Sequence, residues 1–256
     1  MTDPGVMAEA LIAARRERRS IPPFTRKNPF LQVETAYKAQ ALVVENLLSA
    51  GEHLVGAKLG LTSRVKRTAL GIHEPVYGRL TSGMVIPSGE PLNLDGLIHP
   101  RAEPEIAFLV ARAIRAPTTV TQVLAATEAI FPALEVVDSH YATSFRLPDS
   151  VADNAGAAHV VIGNGARRPG ELVDLSVLGC VFRCRGVIDT AAGGAVLGHP
   201  ARALVWLAEA LGAHGEAIEA GWIVLTGGLT ASVALQPHGV VTAEFDGLGS
   251  IGLQCT

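Results

Sequence analysis

Arg101-Ala-Glu-Pro-Glu-Ile-Ala-Phe-Leu-Val110 sets two carboxylates two residues apart at the head of an apolar run. Alternate side chains of an extended chain share a face, so Glu103 and Glu105 point the same way, with Cα atoms roughly 6.6 Å apart. Both can converge on one hard cation, which would relieve their mutual repulsion. Pro104 favours the other reading, a solvated strand edge. Against that, residues 106–110 are apolar on both faces, so the strand runs into a core where an unpaired carboxylate is costly.

A third carboxylate has a similar setting. Residues 123–130 read as a helix, and Pro132-Ala-Leu-Glu-Val-Val-Asp138 is then a short apolar run with Glu135 in its middle. Strand, helix and strand in that order predict a crossover unit that returns Glu135 beside Glu103 and Glu105. Three carboxylates without a histidine form an oxygen-only set. It suits Mg²⁺, Mn²⁺ or Ca²⁺ better than zinc and leaves coordination positions for a chelating substrate.

Composition narrows the class. With 256 residues, 48% of them hydrophobic, the chain can build one sizeable core. A net charge of −3 gives no basic field for nucleic acid, and the densest basic run, Arg15-Arg-Glu-Arg-Arg19, reads as a solvated helix face. No apolar stretch approaches the roughly 20 residues of a membrane span, and no signal-peptide core is visible, which predicts a cytoplasmic protein without a membrane partner. Cys180, Cys184 and Cys255 do not form a CxxC motif and read as core filler.

Helices are predicted over 4–19 and 31–50, the second closed by Gly51, as an N-terminal mainly helical portion (1–75) that leans on a catalytic portion (76–256). Lys58 lies among glycines and apolar residues in Val55-Gly-Ala-Lys-Leu-Gly-Leu-Thr-Ser63, as a charge-stabilising lysine would; a snorkelling surface lysine is the alternative. Residues 71–80 read as a turn-rich loop. Residues 139–149, polar and aromatic, suit a loop that covers substrate. Asp153 and Asn154 could orient substrate or cap a turn, and His199 could open the helix expected over 201–211. Three β segments joined by glycine turns close the chain, and Thr226-Gly-Gly228 lacks the frame of a phosphate loop. The expected architecture is α+β: a mixed, curved sheet or roll with outer helices.

Taken in order, Lys58-Leu-Gly-Leu-Thr62, Pro75-Val-Tyr-Gly78, Ala102-Glu-Pro-Glu-Ile-Ala107, Pro132-Ala-Leu-Glu135, Val151-Ala-Asp-Asn-Ala155, Leu197-Gly-His-Pro200 and Thr226-Gly-Gly228 resemble the hydratase/decarboxylase branch of the fumarylacetoacetate hydrolase superfamily. That branch serves meta-cleavage pathways of aromatic degradation, and the match runs over nearly the whole chain beyond residue 30. The resemblance implies Mg²⁺ or Mn²⁺ held by Glu103, Glu105 and Glu135, with Lys58 at the active site. It also implies contacts of Val76, Asp153, Gly156, Thr226 and Gly227 with a small 2-oxo-dicarboxylate, a homo-oligomer, and a complex with a partner hydratase.

Two chemistries compete within the branch. Hydratases acting on 2-hydroxypenta-2,4-dienoate typically carry an Asp where this chain has Val76 and a Ser where it has Gly156. Both proton-handling groups are missing, and Thr226-Gly-Gly-Leu-Thr230 looks like the decarboxylase form. The expected activity is therefore metal-dependent decarboxylation of 2-oxohex-3-enedioate to 2-hydroxypenta-2,4-dienoate, with the hydratase reaction as the alternative. Two departures stand: the decarboxylases also carry a Ser at the Gly156 position, and Trp222 replaces an acidic residue common in the branch. A C–C bond hydrolase would need a His–Glu pair, and the neighbours His73 and Glu74 face opposite ways on an extended chain. A non-catalytic scaffold is the alternative from another class, and the retained Lys58 and three glutamates speak against it.

Overall fold

The computed structural model describes residues 3–172 and 174–256. Helix α1 (Pro4–Glu17) starts where Asp3 Oδ1 accepts from the backbone N–H of Gly5 at 2.8 Å and of Val6 at 3.1 Å, with Pro4 preset for the first turn. After the single turn α2 (Phe24–Lys27), α3 (Val33–Ser49) buries Ala36, Ala39, Val43 and Val44. These small and β-branched residues let α1 bring Met7 and Leu11 close against it.

The strands follow in chain order: β1 (Leu54–Gly60), β2 (Val76–Thr81), β3 (Val85–Ile86), β4 (Arg101–Val110), β5 (Thr127–Val137), β6 (Ala157–Ile162), β7 (Gly179–Cys184), β8 (Val187–Ala192), β9 (Ile223–Leu225), β10 (Val233–Ala234), β11 (Val240–Phe245) and β12 (Gly249–Gln254). Helix α4 (Arg64–Leu70) joins β1 to β2, α5 (Val120–Ala126) precedes β5, α6 (Leu147–Ala152) precedes β6, and α7 (Ala201–Gly212) precedes β9. The large mixed sheet runs β2-β1-β9-β4-β5-β6-β3, with β10 beside the start of β4, and a second sheet runs β12-β11-β7-β8. The curled α+β sheet with outer helices is the architecture expected. Strand β1 belongs to the large sheet, so residues 1–75 contain a central strand as well as the helices.

Strand β4 sorts its side chains by parity. Ile106 and Phe108, fully buried, face the main core with Leu134, Val136 and the buried face of α7, where each contributes roughly 1.5–3 kcal/mol of burial. Glu103, Glu105 and Ala107 alternate with them and so face the other way, Ala107 packing with Leu80, Ala133, Val160 and Leu225.

Four expectations are corrected. The unit carrying Glu105 and Glu135 is not a crossover: β4 and β5 are antiparallel neighbours, and Glu103 stands directly opposite Glu135. The helix between them, expected over 123–130, lies earlier, at Val120–Ala126, with the chain turning extended at Thr127, whose hydroxyl bonds Val123 O at 2.8 Å. Pro104 does not mark a sheet edge. Its carbonyl accepts from Leu229 N at 3.0 Å, and β9 and β10 pair with β4 on either side of it, so its missing N–H falls in a gap of the ladder. Residues 76–81, expected in a loop, form the fully buried β2. Gly78 reads as a turn signal, but it is there because the Asn154 carbonyl passes where a Cβ would be, 2.3 Å away.

The helical portion does more than lean on the rest. Ile21 N donates to His140 O at 2.8 Å and Ala142 N to Ile21 O at 3.0 Å. The buried Asp149 carboxylate accepts from Thr25 N at 3.0 Å, Thr25 Oγ1 at 2.5 Å and Arg146 N at 3.0 Å. The segment between α1 and α3 thus clamps both ends of the 139–149 loop.

Candidate active site and metal centre

Register brings the three carboxylates together. Glu103 and Glu105 share a face of β4, Glu135 joins them from β5, and one oxygen of each lies within 4.8 Å of the others. Lys58 reaches them from β1, three strands from β5: its Nζ donates to Glu135 Oε2 at 3.1 Å and to Ala155 O at 3.0 Å. Lys58, Glu105 and Glu135 are buried. The snorkelling alternative for Lys58 is thereby excluded.

The electrostatics are strained in a way that invites a cation. Burial, then the neighbouring charge of Glu135, pushes the Glu105 carboxyl well above its usual range, and Lys58 offsets only part of this. Glu135 is raised too, by burial first, with Lys58 opposing and Glu103 adding to the shift. Burial alone would lower the Lys58 pKa, but the charges of Glu135, Glu105 and Glu103 outweigh it and leave the ammonium more firmly protonated. Glu105 Oε1 and Glu135 Oε1 are buried without a hydrogen-bond donor. Orphaned acceptors in an oxygen-only set fit Mg²⁺ or Mn²⁺.

Two backbone features fix this set. Gly227 N donates to Glu105 Oε2 at 2.6 Å. A Cβ on Gly228 would lie 1.8 Å from Glu103 Oε2, so any side chain there would push the carboxylate aside. Gly228→Ala should therefore displace Glu103 and weaken Mg²⁺ binding by roughly 10- to 100-fold, the range seen when a ligand's support is lost. Isothermal titration with MgCl₂ checks this, and unchanged affinity would mean that Glu103 is free to ligate from another position.

Lys58 and Glu103 line a cavity of about 520 Å³ with largely apolar walls. Val76, Asp153 and Gly156 line it as well, together with residues 139 and 141–145 of the covering loop. Asn154 is spent on β2, its amide bonding Arg79 N and O at 2.8 Å each. Thr226 and Gly227 are not among the residues that line the cavity. The Thr226 hydroxyl is buried against Ile106 O at 3.0 Å, and Gly227 acts through Glu105. His73 and Glu74 are absent from the cavity wall, and His199 bonds Ala201 N at 3.1 Å at the start of α7. The three cysteines are buried and free.

Several cavity residues were not legible as such: Lys66, His99, Arg101 and Asp138. Asp138 accepts from the backbone of Ile98, His99 and Ser139 and fixes the corner after β5. Beside it, His140 Nδ1 and N bond the Asp153 carboxylate at 2.7 and 2.9 Å. Burial lowers the His140 pKa, but the bond and charge of Asp153, with Asp138 beyond it, outweigh burial and the opposing Arg15, leaving it above the ordinary 6.5. A group raised on folding stabilises the fold below its unfolded pKa and loses that contribution as pH rises through the folded value. His140→Gln should lower Tm by about 2–4 °C near pH 6, the shift of a roughly 1 kcal/mol effect in a chain of this size, and by progressively less toward about pH 9. A loss independent of pH, followed by thermal melts across that range, would show a neutral His140 in the fold.

A carboxylate triad beside a buried ammonium, opening on a largely apolar cavity, is the apparatus of an enzyme that stabilises negative charge on a small molecule. The fumarylacetoacetate (FAA) hydrolase C-terminal family matches residues 52–255, and the chain belongs to that family. It is 37% identical to a 4-oxalocrotonate decarboxylase of Pseudomonas sp. over 98% of this chain and 97% of that protein. It is 39% identical to a 2-hydroxypent-2,4-dienoate hydratase of Pseudomonas putida over 82% of this chain and 96% of that one. Among solved structures, the 4-oxalocrotonate decarboxylase of Pseudomonas putida G7, complexed with magnesium and adipate, superposes with a TM-score of 0.93 at 33% identity, covering 98% of this chain and 96% of that one. Among the described residues no helix is long and apolar enough to cross a membrane.

Proposed function

We propose that the chain is a Mg²⁺- or Mn²⁺-dependent carboxy-lyase that converts 2-oxohex-3-enedioate to 2-hydroxypenta-2,4-dienoate and CO₂. The observation that carries this reading is the setting of Val76. It is a buried, apolar side chain on the cavity wall, and a Cβ on the intervening Gly60 would lie 3.1 Å from Val76 Cγ2 and 3.9 Å from Lys58 Nζ. The position where the related hydratases place a carboxylate thus offers no base for adding water. The decarboxylase relative solved with magnesium and the six-carbon dicarboxylate adipate supports both the ion and the substrate class.

Glu103, Glu105 and Glu135 hold the cation, which when bound supplies Lewis-acid stabilisation of the charge that develops on the substrate oxygens. Lys58, fixed between Glu135 and Ala155 O, presents a permanent positive charge beside that site. Val76 and the 139–149 loop exclude water from the departing carboxylate. Loss of CO₂ leaves the electron pair conjugated to the 2-oxo group, and one proton taken up on that oxygen gives the hydroxydienoate. Because this product is the substrate of a hydratase, the proposal extends to a complex with such an enzyme, to a homo-oligomeric state, and to aromatic meta-cleavage in the cytoplasm.

The test is an assay on 2-oxohex-3-enedioate that follows substrate absorbance and CO₂ together, with and without chelator, and with 2-hydroxypenta-2,4-dienoate in parallel. Chelator-sensitive CO₂ release is the expected result. Consumption of the hydroxydienoate alone would establish the hydratase and overturn the role given to Val76.

A further inference from the structure

The cavity carries positive charge at a second place. Lys66 of α4 and Arg101 of β4 both line it. Arg101 stands two residues before Glu103 on the same face of β4, roughly 6.6 Å away along the strand, so it is one pleat from the carboxylate triad. Its guanidinium is held by Ser232, with Nε donating to Oγ at 2.8 Å and Nη2 to O at 2.5 Å. Lys66 Nζ donates to Thr230 O at 3.1 Å. The two heads are therefore pinned by one three-residue stretch, the continuation of the Gly228 segment that crosses Glu103.

Neutral acceptors position these cations without cancelling their charge. Among the described residues neither Lys66 nor Arg101 forms an ion pair. Lys58, in contrast, is spent on Glu135. The other two carboxylates of the wall are already supplied with donors, Asp138 by three backbone N–H groups and Asp153 by His140. Arg101 keeps Nη1 uncommitted and Lys66 two of its three N–H bonds, enough to meet one further carboxylate.

We infer that Lys66 and Arg101 form the receptor for the second carboxylate of a dicarboxylate ligand, making the cavity select dicarboxylates over monocarboxylates of equal length. This rests on the proposed reading that the first carboxylate and its neighbouring ketone lie at the triad. Both cations are exposed at the lip of the cavity, so they capture the incoming second carboxylate and pass it on to the apolar wall at Val76, rather than hold it in a desolvated ion pair during its loss. That division suits a group that must shed its charge as CO₂. A cation that gripped it more tightly in the ground state than in the transition state would slow the step.

The experiment compares the wild type with Arg101→Gln, Lys66→Gln and the double variant, all loaded with Mg²⁺. Calorimetry gives the affinities for adipate and hexanoate at low and high salt, and kcat and KM on 2-oxohex-3-enedioate are measured alongside. The wild type should prefer adipate, and the double variant should lose that preference by roughly 10-fold together with its salt dependence, with KM raised by more than kcat is lowered. Equal binding of the two acids by the wild type, or a preference that survives in the double variant, overturns the receptor. The binding arm needs no turnover. If the preference is lost as expected but the wild type releases no CO₂, the receptor stands and the assigned reaction falls.

Discussion

Glu105→Gln is expected to abolish divalent-ion binding and activity while making the chelated protein more stable. Glutamine keeps the shape of the side chain. Its amide oxygen can still accept from Gly227 N, and its amide nitrogen can donate to the neighbouring Glu135 carboxylate. What disappears is a buried carboxyl whose ionisation is opposed first by desolvation and then by the charge of Glu135. A carboxyl raised on folding adds stability that is present below its unfolded pKa and lost as pH rises through the folded one, so with rising pH the wild type without metal increasingly bears the cost of Glu105 in the interior. Relief of that cost should raise the chelated Tm by several degrees, at roughly 2–4 °C per kcal/mol for a chain of this size, and more at pH 8 than at about pH 5. Mg²⁺ should then stabilise the wild type by mass action and leave the variant unmoved. Affinity should fall at least about 100-fold and turnover roughly 1,000-fold, as expected when several kcal/mol of charge stabilisation are lost. Melts with and without Mg²⁺, together with turnover at saturating substrate, decide the matter. A variant that binds Mg²⁺ and turns over like the wild type cannot have lost a ligand.

The same two residues show how far the sequence could be read. Glu103 and Glu105 were legible because a period of two fixes their common face whatever the rest of the chain does, and the apolar run behind them announced burial. Glu135 was legible as a residue but not as a partner: an intervening helix permits a crossover or an antiparallel return, and only the direction of β5 brings Glu135 opposite Glu103. Strand β2 was hidden because Gly78 serves a close approach by Asn154, a contact between residues far apart in the chain. For the same reason Lys66, Arg101 and the pair of His140 with Asp153 carried no signal. Each depends on which distant segments meet at the cavity, and polar residues look alike until their partners are known. Thr226 and Gly227 were singled out by motif, and the bonds of Thr226 to Ile106 O and of Gly227 N to Glu105 give that motif a part in holding the candidate metal-ligating carboxylates in place.

Lys58→Met separates catalysis from metal binding. Methionine fills the aliphatic path from β1 but removes the ammonium, so Glu135 Oε2 and Ala155 O lose their donor while the three carboxylates remain. Burial would lower the Lys58 pKa, but the charges of Glu135, Glu105 and Glu103 hold it above the ordinary 10.5, so it is charged throughout the neutral range and its stabilising contribution fades only as pH rises through that higher value. Its removal leaves a buried anionic cluster uncompensated. The chelated protein should lose about 3–5 kcal/mol, the usual result of breaking a buried ion pair from one side. Saturating Mg²⁺ should restore most of that loss, because the cation takes over the neutralising role, and Mg²⁺ affinity should hold or tighten once a competing positive charge is gone. Turnover should still fall by roughly 100- to 1,000-fold, since the charge aimed at the reacting oxygens is missing. Stability recovered by Mg²⁺ with activity still absent is the pattern a catalytic lysine demands. Recovery of both would reduce Lys58 to a counter-ion that holds the empty site together.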